Sequence, residues 1–88
     1  MRLDQFLKAS RLIKQRSVAK WACDAGRVTI LGRKAKAGTV VRVDDELTLN
    51  LRDRFLRVRV LEIPKGNVNK ERASTLYELL EDKNVSSF

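Results

Sequence analysis

Histidine is missing from all 88 residues. Its absence removes the commonest general base, any Ser-His-Asp triad and the commonest zinc ligand besides cysteine. Cysteine occurs once, at Cys23, which excludes an intramolecular disulfide and a CxxC metal site and fits a reducing compartment. No apolar run approaches the roughly 20 residues needed to cross a bilayer. The opening Met1-Arg2-Leu3-Asp4 shows no unbroken apolar stretch of the signal-peptide kind. Internal repeats and low-complexity stretches are absent, and with a single proline so is any Pro-rich linker. Aromatic residues make up only 6% of the chain, and none pair along the candidate strands. This argues against a stacking platform built on a sheet.

The length points to one domain. A chain of this size buries roughly 60–65% of the surface its unfolded form exposes. At 43% hydrophobic it makes a compact core, but it leaves no room for a deep catalytic pocket beside that core. Charge is abundant and unevenly placed. Lys and Arg number 19 against 11 Asp and Glu, for a net charge of +8. Residues 1–36 hold ten bases and two acids, Asp4 and Asp24, whereas residues 37–88 hold nine of each. A one-sided basic block costs self-repulsion that mixed signs would avoid. It points to an anionic partner, nucleic acid before a membrane surface. The apolar face of each helix is needed for the core, which weakens the membrane reading.

Leu3, Phe6 and Leu7 at i, i+3, i+4 predict a helix over 3–9. Leu12 and Ile13 among charges read as a tight connection. Ser17 is placed to cap a second helix over 18–25, closed by Gly26 in a left-handed conformation. Periodicity leaves that helix two possible buried faces: Val18, Trp21, Ala22 and Ala25, or Val18, Ala19, Ala22 and Cys23. Strand patterns follow at 28–30, with a Leu31-Gly32 turn and a short return at 33–36. The β-branched Val40, Val41 and Val43 lead into the acidic turn Asp44-Asp45-Glu46. Leu47, Leu49 and Leu51 then alternate with polar residues, as do Leu56, Val58 and Val60, with Arg52-Asp53 as the hairpin turn between them. Ala73, Leu76, Tyr77 and Leu80 predict a C-terminal helix over 69–81, capped by Asn69, with 83–88 frayed. The class expected is α+β: a small single domain with two short N-terminal helices packed on a short antiparallel sheet, plus a C-terminal helix.

Three stretches carry a resemblance. Residues 2–7 read R-L-D-Q-F-L, and residues 11–19 read R-L-I-K-Q-R-S-V-A. Gly26-Arg27-Val28 then leads to Gly32, Lys36 and the Asp45-Glu46-Leu47 step. Over residues 2–51 this resembles the small RNA-binding domain named after ribosomal small-subunit protein four. Two positions depart from that family's pattern: Leu31 where Asn is usual before Gly32, and Asp44 where Gly is usual before Asp45. Both are turn positions where left-handed geometry is often needed. The resemblance selects Ala19, Ala22 and Cys23 as the buried face, which leaves Trp21 near the surface, either against a base or ribose or packed on the C-terminal helix or Arg27. It implies residues 1–66 as the RNA-binding domain and residues 67–88 as a helical extension packed on it.

The candidate RNA-binding residues are Arg2, Arg11, Lys14, Arg16, Lys20 and Arg27, extended by Lys34 and Lys36. Arg supplies a planar fork for phosphate oxygens and Lys a point charge. Recognition of folded RNA through backbone and shape is expected. Asp4 reads as a helix N-terminal charge or an Arg partner. Lys8 reads as solvated, Arg57 and Arg59 as the polar face of a strand, and Asp44 to Glu46 as a solvated turn rather than a metal site. No cofactor, metal or catalytic group is expected.

This family's domain is often an appendage of larger enzymes, such as pseudouridine synthases and tyrosyl-tRNA synthetases. Here no catalytic domain fits, so a non-enzymatic role in trans is expected. Stand-alone versions resemble two bacterial groups, a heat-shock ribosome-recycling factor and a ribosome-associated quality-control cofactor. The short length and the tail run N-x-x-x-x-A-x-x-L-Y-x-L-L are more similar to the second. That resemblance implies a cytoplasmic monomer that binds rRNA of the large ribosomal subunit and peptidyl-tRNA, in company with a tailing elongation factor. The alternative is a structural ribosomal protein, or an assembly or recycling factor.

Overall fold

Two helices, α1 (Leu3–Ala9) and α2 (Arg16–Asp24), precede the hairpin β1 (Val28–Ile30) and β2 (Arg33–Lys34). A second hairpin follows, β3 (Glu46–Leu51) and β4 (Arg54–Val60), then a single helical turn α3 (Lys70–Ala73) and a last strand β5 (Tyr77–Asn84). The structure is a computed structural model and describes residues 1–84. All five strands join one antiparallel sheet in the order β2-β1-β3-β4-β5. The class is the α+β arrangement that the sequence predicts.

The helices form because each has an apolar face to bury. Leu3, Phe6 and Leu7 of α1 are fully buried, and α2 buries Ala19, Ala22 and Cys23. That face of α2 is the one the family resemblance selects, and Trp21 on the opposite side is 57% exposed. Val28 of β1, Leu47 and Leu49 of β3, and Val58 and Val60 of β4 supply the sheet's side of the same core cluster. Each such buried side chain contributes about 1.5–3 kcal/mol relative to exposure. Burial, helped by the nearby Asp4 and Asp24 carboxylates, pushes the Cys23 thiol up to about 11, so it behaves as a small apolar core residue.

Gly26 closes α2 as expected. Its φ is +75°, its N–H donates to Cys23 O at 3.0 Å, and the Arg27 N–H donates to Ala22 O at 2.9 Å. This paired bonding satisfies carbonyls that the helix end would otherwise leave open. The two departures from the family pattern do sit in left-handed backbone: Leu31 has φ 53° and Asp44 has φ 74°. Arg52-Asp53 forms the turn between β3 and β4, with Leu51 opposite Arg54.

Three expectations need correction. The tail is not a helix over 69–81. Asn69 caps as predicted, its Oδ1 accepting from the Arg72 N–H at 2.8 Å, but the helix ends after Ala73. The Ser74 and Thr75 hydroxyls turn back onto the Glu71 and Arg72 carbonyls at 3.1 and 2.7 Å, which competes with continuing the helix. The chain from Tyr77 then completes the open ladder of β4, and facing Arg and acid side chains reward that pairing. Residues 77–84 therefore join the sheet as β5, and only residues 70–73 of the expected extension are helical. Second, Gln15 and not Ser17 occupies the cap position of α2, with extended backbone and no side-chain cap bond. Third, Lys83 and Asn84 are paired with Phe55 and Arg54, so the expected fraying does not begin there. Residues 85–88 lie outside the described residues.

Candidate nucleic-acid interface

The link between α1 and α2 positions the first group of cations. The Ser10 hydroxyl donates to Leu7 O at 3.2 Å at the end of α1, and Arg11 turns the chain with a left-handed φ of 61°. Ile13 then drops into the core, 6% exposed, with its N–H donating to Leu7 O at 3.2 Å. Anchored on both sides, the link holds Arg11, Lys14 and Arg16 exposed. They line an open groove of about 650 Å³ together with Lys8, Gln5 and the Gly66-Asn67 stretch that precedes α3. Among the described residues no carboxylate lines it.

Asp4 organises the edge of this groove from below. It is 2% exposed, and its carboxylate accepts the Gln5 N–H at 2.9 Å. Arg2 Nε approaches one carboxylate oxygen at 3.5 Å and Arg16 Nε the other at 3.8 Å, while both arginine side chains remain more than half exposed. Arg2 and Arg16, distant in sequence, are thus held together by one buried acid with their outer faces free. The sequence reading of Asp4 as an Arg partner is what the geometry shows.

The other predicted cations lie elsewhere. Lys20 is exposed one turn after Arg16 on α2. Arg27 sits beyond the far end of α2, its guanidinium carbon 5.6 Å from the centre of the Trp21 ring. The Lys34 stem lies beside Gly26, where its Cδ would be 3.4 Å from an added Cβ. Lys36 belongs to a loop tied to the start of α1: Leu3 and Asp4 donate to Thr39 O and Ala37 O at 2.7 and 3.2 Å. Among the described residues, Arg11, Lys14, Lys20, Arg27, Lys34 and Lys36 have no carboxylate within salt-bridge distance. Of the eight predicted residues, Arg11, Lys14 and Arg16 line the groove with Arg2 beside it, and Lys20 follows on α2. Arg27 and Lys34 lie at the far end of α2, and Lys36 lies on the loop tied to the start of α1. Lys8, Gln5 and Asn67 of the groove were missed. The one signal for Lys8 was its position a helical turn before Arg11.

The opposite edge of the sheet is self-neutralised. Arg54 meets Asp82 at 2.5 Å, Arg57 lies between Glu46 at 2.7 Å and Glu81 at 3.3 Å, and Arg59 approaches Glu78 at 3.8 Å. Hydrogen bonds from Lys83 and Arg57 hold the Glu81 carboxyl below its ordinary range, and Arg54 does the same for Asp82. Arg57 and Arg59 are the polar strand face that the sequence suggests. No helix among the described residues is long and apolar enough to cross a membrane.

Known proteins resemble this chain over most of its length. The family model of the S4 domain matches residues 1–47. A protein of Halalkalibacterium halodurans named RQC P-site tRNA stabilizing factor is 49% identical over 86 residues, 98% of this chain and 97% of the relative. A protein of the same name from Bacillus subtilis is 44% identical, covering 97% of this chain and 98% of the relative. Among solved structures, Vibrio cholerae Heat Shock Protein 15, described as trimeric, superposes with a TM-score of 0.80 at 29% identity. That match covers 90% of this chain and 80% of the other.

Proposed function

Since this chain belongs to the S4 domain family, we propose that it is an RNA-binding translation factor of ribosome-associated quality control. It binds large ribosomal subunits that carry stranded peptidyl-tRNA, contacts rRNA and tRNA, and assists the tailing of nascent chains. The observation that carries RNA binding is the carboxylate-free groove lined by Lys8, Arg11, Lys14 and Arg16. Phosphate oxygens fit such a surface, because among the described residues Lys8, Arg11 and Lys14 have no carboxylate partner to give up, and Arg16 stays more than half exposed beside Asp4. The name of the relatives, RQC P-site tRNA stabilizing factor, together with their similarity over nearly the whole chain, supports the step from RNA to P-site tRNA.

In this reading Arg2 and Arg16 present their outer guanidinium edges, and Arg11 and Lys14 complete the groove. Lys20, Arg27, Lys34 and Lys36 extend the contact along α2 and the loop beside it. Residues 1–66 form the RNA-binding unit, Asn67 and Val68 join its groove, and β5 supports the sheet from the far edge. The role is non-enzymatic: the protein acts as a cytoplasmic monomer and holds tRNA in place while a tailing elongation factor works.

Sedimentation of tagged protein from lysate tests this. Co-migration with free large subunits enriched in peptidyl-tRNA is the expected result. Failure to co-sediment at any occupancy of peptidyl-tRNA overturns the ribosomal reading. Equal distribution over all ribosomes, resistant to a high-salt wash, would instead indicate a structural or assembly protein.

A further inference from the structure

Trp21 is the only tryptophan of the chain and the largest side chain left exposed by the fold. It sits on the side of α2 opposite the Ala19-Ala22-Cys23 face and is not among the apolar residues packed against the core. The Arg27 guanidinium is placed over its ring. Lys20 precedes it, Lys34 lies against Gly26 at the same end of the helix, and Asp24 is the one acid on the neighbouring turn. An exposed indole costs solvation free energy unless something covers it. The cover that suits a π face beside a guanidinium, on a helix end that also carries lysines, is itself aromatic and anionic.

The indole also lies apart from the groove. Trp21 is five residues beyond Arg16, about 7.5 Å along the helix axis and roughly 140° around it. A duplex backbone seated on Arg11, Lys14 and Arg16 therefore approaches from another direction. Every nucleobase offers a π face, and unstacked bases in RNA settle on aromatic rings and on guanidinium planes. Trp21 and Arg27 supply one of each.

We propose that Trp21, Arg27 and Lys34 form a second nucleic-acid contact that stacks an unpaired nucleobase, so that the chain holds two RNA elements at once: a phosphate backbone in the groove and a splayed-out nucleotide on the indole. This rests on the RNA-binding reading above and adds to it the class of ligand at the far end of α2.

The single tryptophan makes the test direct. Full-length protein is titrated with a short single-stranded oligoribonucleotide, with a matched abasic strand and with a blunt RNA duplex, while indole emission and affinity are followed separately. The base-containing strand is expected to quench the emission, and the abasic strand and the duplex to bind without quenching. Trp21→Ala is expected to weaken the base-containing strand by roughly 5- to 100-fold and to leave duplex affinity within about twofold. Trp21→Phe, which keeps a ring and controls for folding, retains most of the binding. Arg16→Ala shows the reverse pattern, with its main loss on the duplex.

Equal quenching by the abasic strand, or unchanged affinities in Trp21→Ala, overturns the stacking site. If duplex binding still depends on Arg16 in that case, the RNA-binding reading stands without it; if no RNA binds at all, both fall. A Trp21→Ala chain that binds every RNA normally but is lost from large subunits would make the indole a protein contact, which also overturns the proposal.

Discussion

At the scale of single residues, Asp4 does more than its place in the sequence suggests. A carboxylate at a helix start is ordinarily a solvated charge, yet here it is buried and shared by two arginines 14 positions apart in the chain. Arg16→Ala is expected to lower RNA affinity by about 1–2 kcal/mol, the size of a charge-assisted hydrogen bond. Arg57→Ala should leave affinity unchanged, because that guanidinium is already engaged by Glu46 and Glu81. Filter binding of both variants checks the pair, and equal losses would mean that the wrong face has been assigned. Asp4→Asn combined with Arg16→Ala should lose less than the sum of the two single losses, since one change disables what the other positions. Leu31 presents the opposite case, a residue at odds with its backbone. Its φ of 53° at an exposed position makes Leu31→Asn stabilising by about 1 kcal/mol, read as a rise in melting temperature of roughly 4–8 °C.

At the scale of elements, α1, α2, β1, β3 and β4 were legible because each combines a clear apolar period with a clear stop, whereas the exposed pair Arg33–Lys34 of β2 was legible only as the return after Gly32. Leu3, Phe6 and Leu7 have one reading, and Gly26 ends α2 by the backbone it alone adopts cheaply. Replacing it tests this: Gly26→Ala should cost about 1–2 kcal/mol in a denaturant melt, from its φ of +75°. The last strand was not legible from spacing. Ala73, Leu76, Tyr77 and Leu80 fit a helix, but only Ala73 and Leu76 became buried, Leu76 as the residue that receives the Leu61 and Glu62 N–H groups on its carbonyl. What selects the strand is tertiary: the open edge of β4 and its arginines at 54, 57 and 59 facing acids at 82, 81 and 78. That match of charges was present in the sequence as two complementary series, but nothing local announces it. The same pairs fix a pH dependence. Glu81 and Asp82 titrate below their ordinary 4.5 and 3.8, so their contribution is complete above those values and is lost as pH falls through the lowered ones. The protection factors of β5 amides, taken relative to intrinsic exchange at each pH, should therefore fall as pH drops below about 4.5, ahead of those of β3, and Asp82→Asn should flatten that response.

At the scale of the whole molecule, the groove joins residues from α1, the link, α2 and the stretch before α3, so no single segment of sequence displays it. The charge census pointed to the half of the chain that supplies most of the groove, and Arg11, Lys14 and Arg16 were legible as a cluster. Lys8 and Asn67 were not, because their membership depends on how the tail returns past α1. If about five cations meet phosphates, affinity for RNA should fall roughly 100- to 500-fold between 50 and 200 mM salt, measured by titration at several salt concentrations; a flat response would remove the backbone reading. The strand order places β4 and β5, where nearly every arginine has its acid, at the edge farthest from β2. The net charge of +8 consequently sits off-centre, and the folded chain is an electric dipole as well as a cation. In the field of a polyanion such a body turns before it touches. It reaches its target with the helices leading and the paired strands trailing, so that orientation is settled during diffusion and little of each encounter is spent on the wrong face.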